Sequence, residues 1–229
     1  MEIKIETGGE SFSCYMALPE NKKGPVIVCL QEIFGVNLWM RNIADKMSTL
    51  GFVAIVPDLF WRIQPNVQIN GETEDDFSKA FDLYGKFDPG LALKDIENTI
   101  QNAKNLSENN TKKVGTMGFC LGGFLAYLSS IHTTANANVG YYGVGIENKL
   151  NEKDNIKSDL MLHIATEDQF VPLDVQKKIH NELDRNPRVS IYDYKADHAF
   201  ARIGGDAFVE EVANESEQRT IDFFNKFLR

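Results

Sequence analysis

Five short apolar runs constrain the fold of this chain more than any other feature: residues 25–30, 52–56, 114–119, 139–142 and 160–164. Each is too short for a buried helix and lacks polar alternation, the pattern of a strand covered on both faces. Longer stretches with helical spacing lie between them. Within 37–50, Ile43, Met47 and Leu50 recur at i, i+4 and i+7, and Gly51 stands where a helix C-cap belongs. Leu93, Ile96 and Ile100 mark a second stripe, and 121–130, 175–183 and 209–228 carry three more. Residues 189–194 read as a further strand. Strand, helix, strand in this order predicts βαβ crossovers and a doubly wound, mostly parallel sheet with helices on both faces. At 229 residues, one α/β domain spanning 1–229 is expected. The polar segment 62–74, with Pro65 and Gly71, reads as a long loop at the C-terminal edge of a strand, where open α/β sheets bind ligands.

Charge narrows the function. With 24 Lys and Arg against 33 Asp and Glu, the formal charge is −9. A polyphosphate needs a basic patch to release its counterions, so nucleic acid is excluded as a partner. An anionic substrate would need local arginines to reverse the average field. The three cysteines, Cys14, Cys29 and Cys120, form neither a disulfide framework nor a C-x-x-C pair. No metal-ligand spacing, P-loop or dinucleotide fingerprint occurs, so neither metal nor cofactor is expected. Residues 1–7 alternate apolar and charged residues and no run suits a signal peptide or membrane span. The expectation is a cytoplasmic chain away from membranes, with reduced thiols and, by default, a monomer.

The strongest local signal is Gly118-Phe119-Cys120-Leu121-Gly122-Gly123, between a buried strand and a helix of small residues. It is G-x-C-x-G in the place of the G-x-S-x-G nucleophile elbow. Chance placement of 3 cysteines and 17 glycines in 229 residues gives about 0.02 such matches. The turn is so tight that residues two before and two after the centre cannot carry a Cβ. It leaves the central side chain at a helix N-terminus, where backbone N–H groups stabilise a thiolate and the oxyanion formed by its attack. A thiol nucleophile needs a base, and an imidazole base needs a carboxylate; on this fold the chain order is nucleophile, acid, histidine. After the run 160–164, Asp168 is the acid, with Glu167 the competitor one residue away. After 189–194, His198 is the base. His163 falls inside a strand, His180 inside an amphipathic helix and His132 at a helix end, all three structural positions.

Gln31-Glu32-Ile33-Phe34-Gly35-Val36-Asn37, the elbow, Tyr141-Tyr142-Gly143-Val144-Gly145, Asp168 with Phe170-Val171-Pro172, and His198-Ala199-Phe200-Ala201-Arg202 together resemble the dienelactone hydrolases. The resemblance runs from about residue 10 to the C-terminus. It implies the α/β-hydrolase fold and hydrolysis of a small lactone ester through an acyl-thiol. It implies that Glu32 takes the proton of the Cys120 thiol when substrate displaces it from a resting partner. It further implies that Arg62 and Arg202 hold a substrate carboxylate, Arg62 being also a candidate resting partner of Glu32, and that the amides of Leu121 and Ile33 form the oxyanion hole. Three departures from the family pattern, Phe60-Trp61, Ala165-Thr166 and Asp197, alter the surroundings of the triad rather than its members. They leave room for a broader carboxylesterase or thioesterase, or for a binding protein that uses Cys120 as an oxidisable thiol.

Overall fold

The computed structural model describes residues Met1–Arg229. They form two compact units, Met1–Val114 and Gly115–Arg229.

The first unit contains β1 (Glu2–Thr7), β2 (Glu10–Ala17), β3 (Gly24–Leu30), α1 (Leu38–Thr49), β4 (Val53–Pro57), α2 (Glu74–Gly85), α3 (Pro89–Asn105) and the start of β5 (Asn109–Phe119). β1 pairs antiparallel with β2 and β2 with β4, while β4 runs parallel to β3. Every residue of β3 and β4 is buried, as their unbroken apolar runs predict. Asn37 caps α1 by accepting the Met40 N–H at 3.1 Å, and Gly51 follows it at φ 86°. Asp88 caps α3, whose first residue is Pro89 and whose buried stripe includes Asp95 and Thr99 among aliphatic residues.

Two features exceed the sequence expectation. The β1–β2 hairpin lies where only alternation was evident, because an antiparallel strand half open to solvent keeps polar residues on one face. The segment 62–74 is a loop as expected, but α2 then follows, capped by Thr73, whose hydroxyl accepts the Asp76 N–H at 3.1 Å. Only Ala80 and Leu83 of α2 are buried, so its core-facing periodicity is faint.

The second unit continues β5 into α4 (Leu121–His132), β6 (Ala137–Tyr141), two short 3₁₀ turns, β7 (Asp159–Ala165), α5 (Leu173–Leu183), β8 (Val189–Tyr194) and α6 (Glu210–Leu228). β5, β6, β7 and β8 pair in that order, all parallel. Neighbouring strand residues point to opposite faces. Gly140 lies against α4, where a Cβ would come within 2.7 Å of the Gly123 carbonyl. Tyr141 instead reaches α6, its hydroxyl donating to the Ser216 carbonyl at 3.1 Å and sharing a 2.6 Å hydrogen bond with Thr220 Oγ1. Helices therefore cover both faces of this unit's sheet.

Candidate active site

The turn from β5 into α4 is as tight as its glycines predict. Cys120 has φ 54° and ψ −113°, a conformation that costs a non-glycine residue about 1–3 kcal/mol and persists only where the surroundings impose it. A Cβ on Gly118 would stand 2.1 Å from the Gly122 carbonyl oxygen. The Cys120 N–H donates to the Tyr141 carbonyl at 3.0 Å, and its carbonyl accepts the Phe124 N–H at 3.2 Å, the first helical hydrogen bond of α4. The amide of Leu121 thus belongs to the first turn, where N–H groups have no acceptor within the helix. The Cys120 side chain is half-buried.

Asp168 and His198 meet at the ends of β7 and β8. Asp168 Oδ1 accepts the Phe170 N–H at 2.7 Å, and Oδ2 lies 2.7 Å from His198 Nδ1. Asp168 is buried against His198 while Glu167 is exposed. The loop carrying the acid is fastened on two sides. Gln176 of α5 donates to the Val171 and Ala165 carbonyls at 2.7 and 3.2 Å. The N–H groups of Thr166 and Glu167 donate to the Tyr194 and Ala196 carbonyls at 2.8 and 3.0 Å, tying it to the segment that presents His198. Tyr142 and Phe170 each set a ring edge-on to His198, with centroids 4.9 Å apart. Neither had been assigned a role from sequence. The motif Phe170-Val171-Pro172 was visible, but nothing in it says which ring it will touch.

Burial opposes charge on His198, but its hydrogen bonds and electrostatic interactions with Asp168 and Cys120 outweigh it, pushing the imidazole up to about 10. His163, also buried in this unit, is driven the other way, to about 3, by desolvation and by Arg219. It remains neutral, bonded to Tyr194 and Thr220 at 2.9 and 3.0 Å. Arg202 follows on the same segment as His198, half-buried, its N–H donating to the Ala199 carbonyl at 2.9 Å.

Glu32, Ile33 and Arg62 belong to the first unit. Glu32 and Ile33 are buried in the loop between β3 and α1. Gly35 in this loop has φ 77°, and a Cβ there would meet the Val67 carbonyl oxygen at 2.1 Å. The loop is clipped to the strap that leads to α2: the Val36 N–H donates to the Val67 carbonyl at 3.0 Å and the Ile69 N–H to the Phe34 carbonyl at 2.9 Å. Gln31 accepts the Leu59 N–H at 3.0 Å.

Arg62 departs from the role its resemblance implies. Its Nε and Nη2 donate to Oδ2 and Oδ1 of Asp95 at 3.0 and 2.8 Å, and its guanidinium lies 4.2 Å from the centre of the Trp61 ring. Trp61 Nε1 donates to the same carboxylate at 2.8 Å. A guanidinium fork that already grips one carboxylate in two-point fashion does not offer that edge to a second. Nor does the resting Arg62 need Glu32 as a partner. Asp95 escaped notice in the sequence, although an acid within the stripe Ala92, Ile96, Thr99, Ile100 is a signal that something basic must reach it.

No group of three or more His, Cys, Asp and Glu side chains is arranged to hold a metal ion, and no helix is long and apolar enough to cross a membrane.

Comparison with known proteins places this architecture. Among solved structures, one from Klebsiella pneumoniae superposes with a TM-score of 0.87 at 24% identity, covering 99% of this chain and 98% of that one. The dienelactone hydrolase of Anabaena variabilis superposes at 0.71 with 17% identity, covering 100% and 98%. These establish the α/β-hydrolase fold. A relative from Azospirillum brasilense is 37% identical over 230 residues, covering 99% of each chain. The carboxymethylenebutenolidases of Pseudomonas putida and Pseudomonas sp. strain P51 are 34% and 32% identical, over 94% and 96% of this chain and 91% and 92% of theirs. The profile of the Dienelactone hydrolase family matches residues 12–228, so the chain belongs to that family and is a hydrolase acting on ester bonds.

Proposed function

We propose that the chain opens the ring ester of a small carboxylate-bearing lactone or enol ester, of the kind the carboxymethylenebutenolidase relatives are named for, through Cys120, His198 and Asp168 and an acyl-thiol intermediate. The observation that carries this reading is the run of contacts from Asp168 to His198 to Cys120 at the strained head of α4. In the acylation step the Cys120 sulfur forms a bond to the carbonyl carbon, and the oxygen takes up negative charge facing the amides of Leu121 and Ile33. When the intermediate collapses, the ring C–O bond breaks and the leaving oxygen takes the proton held by His198. The imidazole, now neutral and held by Asp168, removes a proton from water; the hydroxide attacks the acyl-thiol, and the thiolate leaves. Glu32 takes the thiol proton wherever Cys120 starts in its neutral form. Arg202, half-buried on the segment that carries His198, holds the substrate carboxylate.

The engagement of Arg62 by Asp95 favours a second reading, a carboxylesterase that accepts neutral esters as well. The chain acts as a cytoplasmic monomer with its cysteines reduced, in keeping with three free thiols, two of them fully buried. Steady-state hydrolysis of cis- and trans-dienelactone, beside an uncharged aryl ester of similar size, tests these readings in wild type and Cys120→Ala. Cys120-dependent turnover favouring the lactones supports the first. Turnover of the aryl ester alone replaces it with the second, and no turnover of any ester sinks both.

A further inference from the structure

The proposed chemistry leaves one buried titratable group of the second unit without a task, His163. Its imidazole lies in the middle of a chain of side-chain hydrogen bonds between the sheet and α6. Arg219 Nη1 donates to the Tyr194 hydroxyl at 2.9 Å, and that hydroxyl lies 2.9 Å from His163 Nδ1. On the other side His163 Nε2 lies 3.0 Å from Thr220 Oγ1, which is 2.6 Å from the Tyr141 hydroxyl. The Tyr141 hydroxyl ends the chain 3.1 Å from the Ser216 carbonyl. Tyr141, His163, Tyr194, Ser216 and Thr220 are all buried, so each proton must find its acceptor within the chain.

The two ends fix the direction of every bond between them. A carbonyl only accepts, so the Tyr141 proton goes to Ser216. Tyr141 has no second proton, and Thr220 therefore donates to it. Thr220 has then spent its own proton and must accept from His163, which places the imidazole hydrogen on Nε2. At the far end a guanidinium only donates, so Tyr194 keeps its proton for His163 Nδ1, the bare nitrogen of a neutral ring. A charged ring would turn a second N–H on the Tyr194 oxygen and leave the Tyr194 proton without an acceptor.

The same sheet residues serve the strand ends through their backbones. Tyr141 and His163 are partners across β6 and β7, and Tyr194 of β8 is paired with Ala165 of β7. The Tyr141 carbonyl accepts the Cys120 N–H at 3.0 Å. The His163 carbonyl accepts the N–H of Tyr142 at 2.8 Å, and Tyr142 sets its ring against His198. The Tyr194 carbonyl accepts the N–H of Thr166 at 2.8 Å, on the loop that leads to Asp168. Tyr142 has φ 37° and Cys120 φ 54°, conformations that persist only where the surroundings impose them.

We infer that this one-way chain, with His163 as its Nε2–H tautomer and Thr220 of α6 as its central link, is a positioning device that sets the spacing of the strand ends presenting Cys120, His198 and Asp168. Thr220 touches no reacting group and acts through the residues it ties together. The value of that spacing to catalysis rests on the proposed function; the order of the protons does not. Misplaced triad groups slow the chemical step rather than substrate binding, so the effect falls on kcat.

Thr220→Val keeps the shape of the side chain and removes the link, while Thr220→Ser keeps the link. Thr220→Val should lower kcat for the preferred ester about tenfold with KM within about twofold of wild type, and Thr220→Ser should retain most of the wild-type kcat. Loss of stability with an unchanged kcat per folded molecule, or an equal loss in both variants, overturns the positioning role. Two measurements do not need turnover. In wild type labelled with nitrogen-15 in histidine, the His163 ring, assigned by its absence from His163→Gln, should carry its hydrogen on Nε2 at neutral pH; a hydrogen on Nδ1, or on both nitrogens, overturns the chain. Amide hydrogen exchange in Thr220→Val should quicken at Cys120, Tyr142 and Thr166 beyond the change at Val139 and Met161 in the strands, and a uniform change would mean only a weaker fold. If wild type hydrolyses no ester, the hydrolase reading falls while the ring signal and the exchange pattern still decide the chain. Cys120-dependent turnover with the wrong tautomer and uniform exchange would do the reverse.

Discussion

Asp95 in the first unit and Asp168 in the second are both buried and bonded through both carboxylate oxygens, but their partners differ. Asp95 in the first unit receives Nε and Nη2 of Arg62, Nε1 of Trp61 and the Thr7 hydroxyl, the last at 3.4 Å. Asp168 in the second receives one backbone N–H and one imidazole nitrogen. The first set of partners is closed: a guanidinium does not give up its proton in the working range, and the indole and hydroxyl merely complete the coordination. The second set is open, because its imidazole has another nitrogen and passes the influence of the carboxylate to a sulfur. Burial alone therefore does not make a carboxylate functional. What distinguishes Asp168 is that its partner is an imidazole, a group able to exchange a proton, and under the proposed function that exchange is with the reacting ester.

Substitutions at the two carboxylates should separate these roles. The largest effect is expected in the second unit: Asp168→Asn lowers kcat by about 10³–10⁴ by favouring the wrong imidazole tautomer, and Cys120→Ala removes the measured turnover altogether. Both are read from steady-state kinetics, with circular dichroism confirming the fold. Asp95→Ala should instead destabilise by about 2–3 kcal/mol, below the full cost of breaking a buried pair because Arg62 stays partly wet. Its kcat per folded molecule should stay within about threefold of wild type. Denaturant unfolding together with kinetics decides it, and a kcat loss rivalling that of Asp168→Asn would erase the distinction between closed and open carboxylates.

Two histidines sharpen the comparison within the second unit, at about 1.4 kcal/mol per pH unit at most for each. His198 sits above its unfolded value of 6.5, near 10, so its stabilisation is fully present below 6.5 and is lost as pH rises toward 10. His163 sits below, near 3, so the folded state loses stability as pH falls from 6.5 toward 3, where only the unfolded chain takes up the proton. Thermal melts across this range should show Asp168→Asn flattening the alkaline limb and His163→Gln the acid limb. A His163→Gln curve parallel to wild type between pH 6.5 and 3 would remove His163 as the cause.

What could be read from sequence follows the same division. The parallel strands and the helices that pack on them were legible because burial on both faces writes an unbroken apolar run, as in β3 and β4. The elbow was legible because sterics leave only glycine at Gly118, and the pairing of Asp168 with His198 because both follow strands that end at the same edge. The β1–β2 pairing and α2 were not, since their apolar residues face partly outward. Asp95 was hidden for another reason: a local pattern reports that a residue is buried, while its partners Arg62 and Trp61 lie more than thirty residues away in the chain. Glu32 is singled out only by resemblance, because no spacing rule gives a loop acid a role in the sequence alone.

The smallest predicted effect is the most informative about Arg62. If it clamped a substrate carboxylate, Arg62→Ala would raise KM for an anionic lactone at least tenfold, the loss of about 1.4 kcal/mol or more from a charge-assisted pair, and would spare a neutral ester. With the fork on Asp95, the substitution should change KM for the two substrates by the same factor, within about twofold. It should lower stability as well, since Asp95 would keep only Trp61 and Thr7 in a site that is 1% exposed. Arg62→Ala/Asp95→Ala should then be less destabilising than the sum of the single variants, because neither charge is left buried without its partner. Arg202→Ala provides the contrast, raising KM for the anionic lactone alone. A selective rise in Arg62→Ala together with additive stability losses would mean that Arg62 releases Asp95 when substrate binds, and would turn the closed carboxylate of the first unit into a working one.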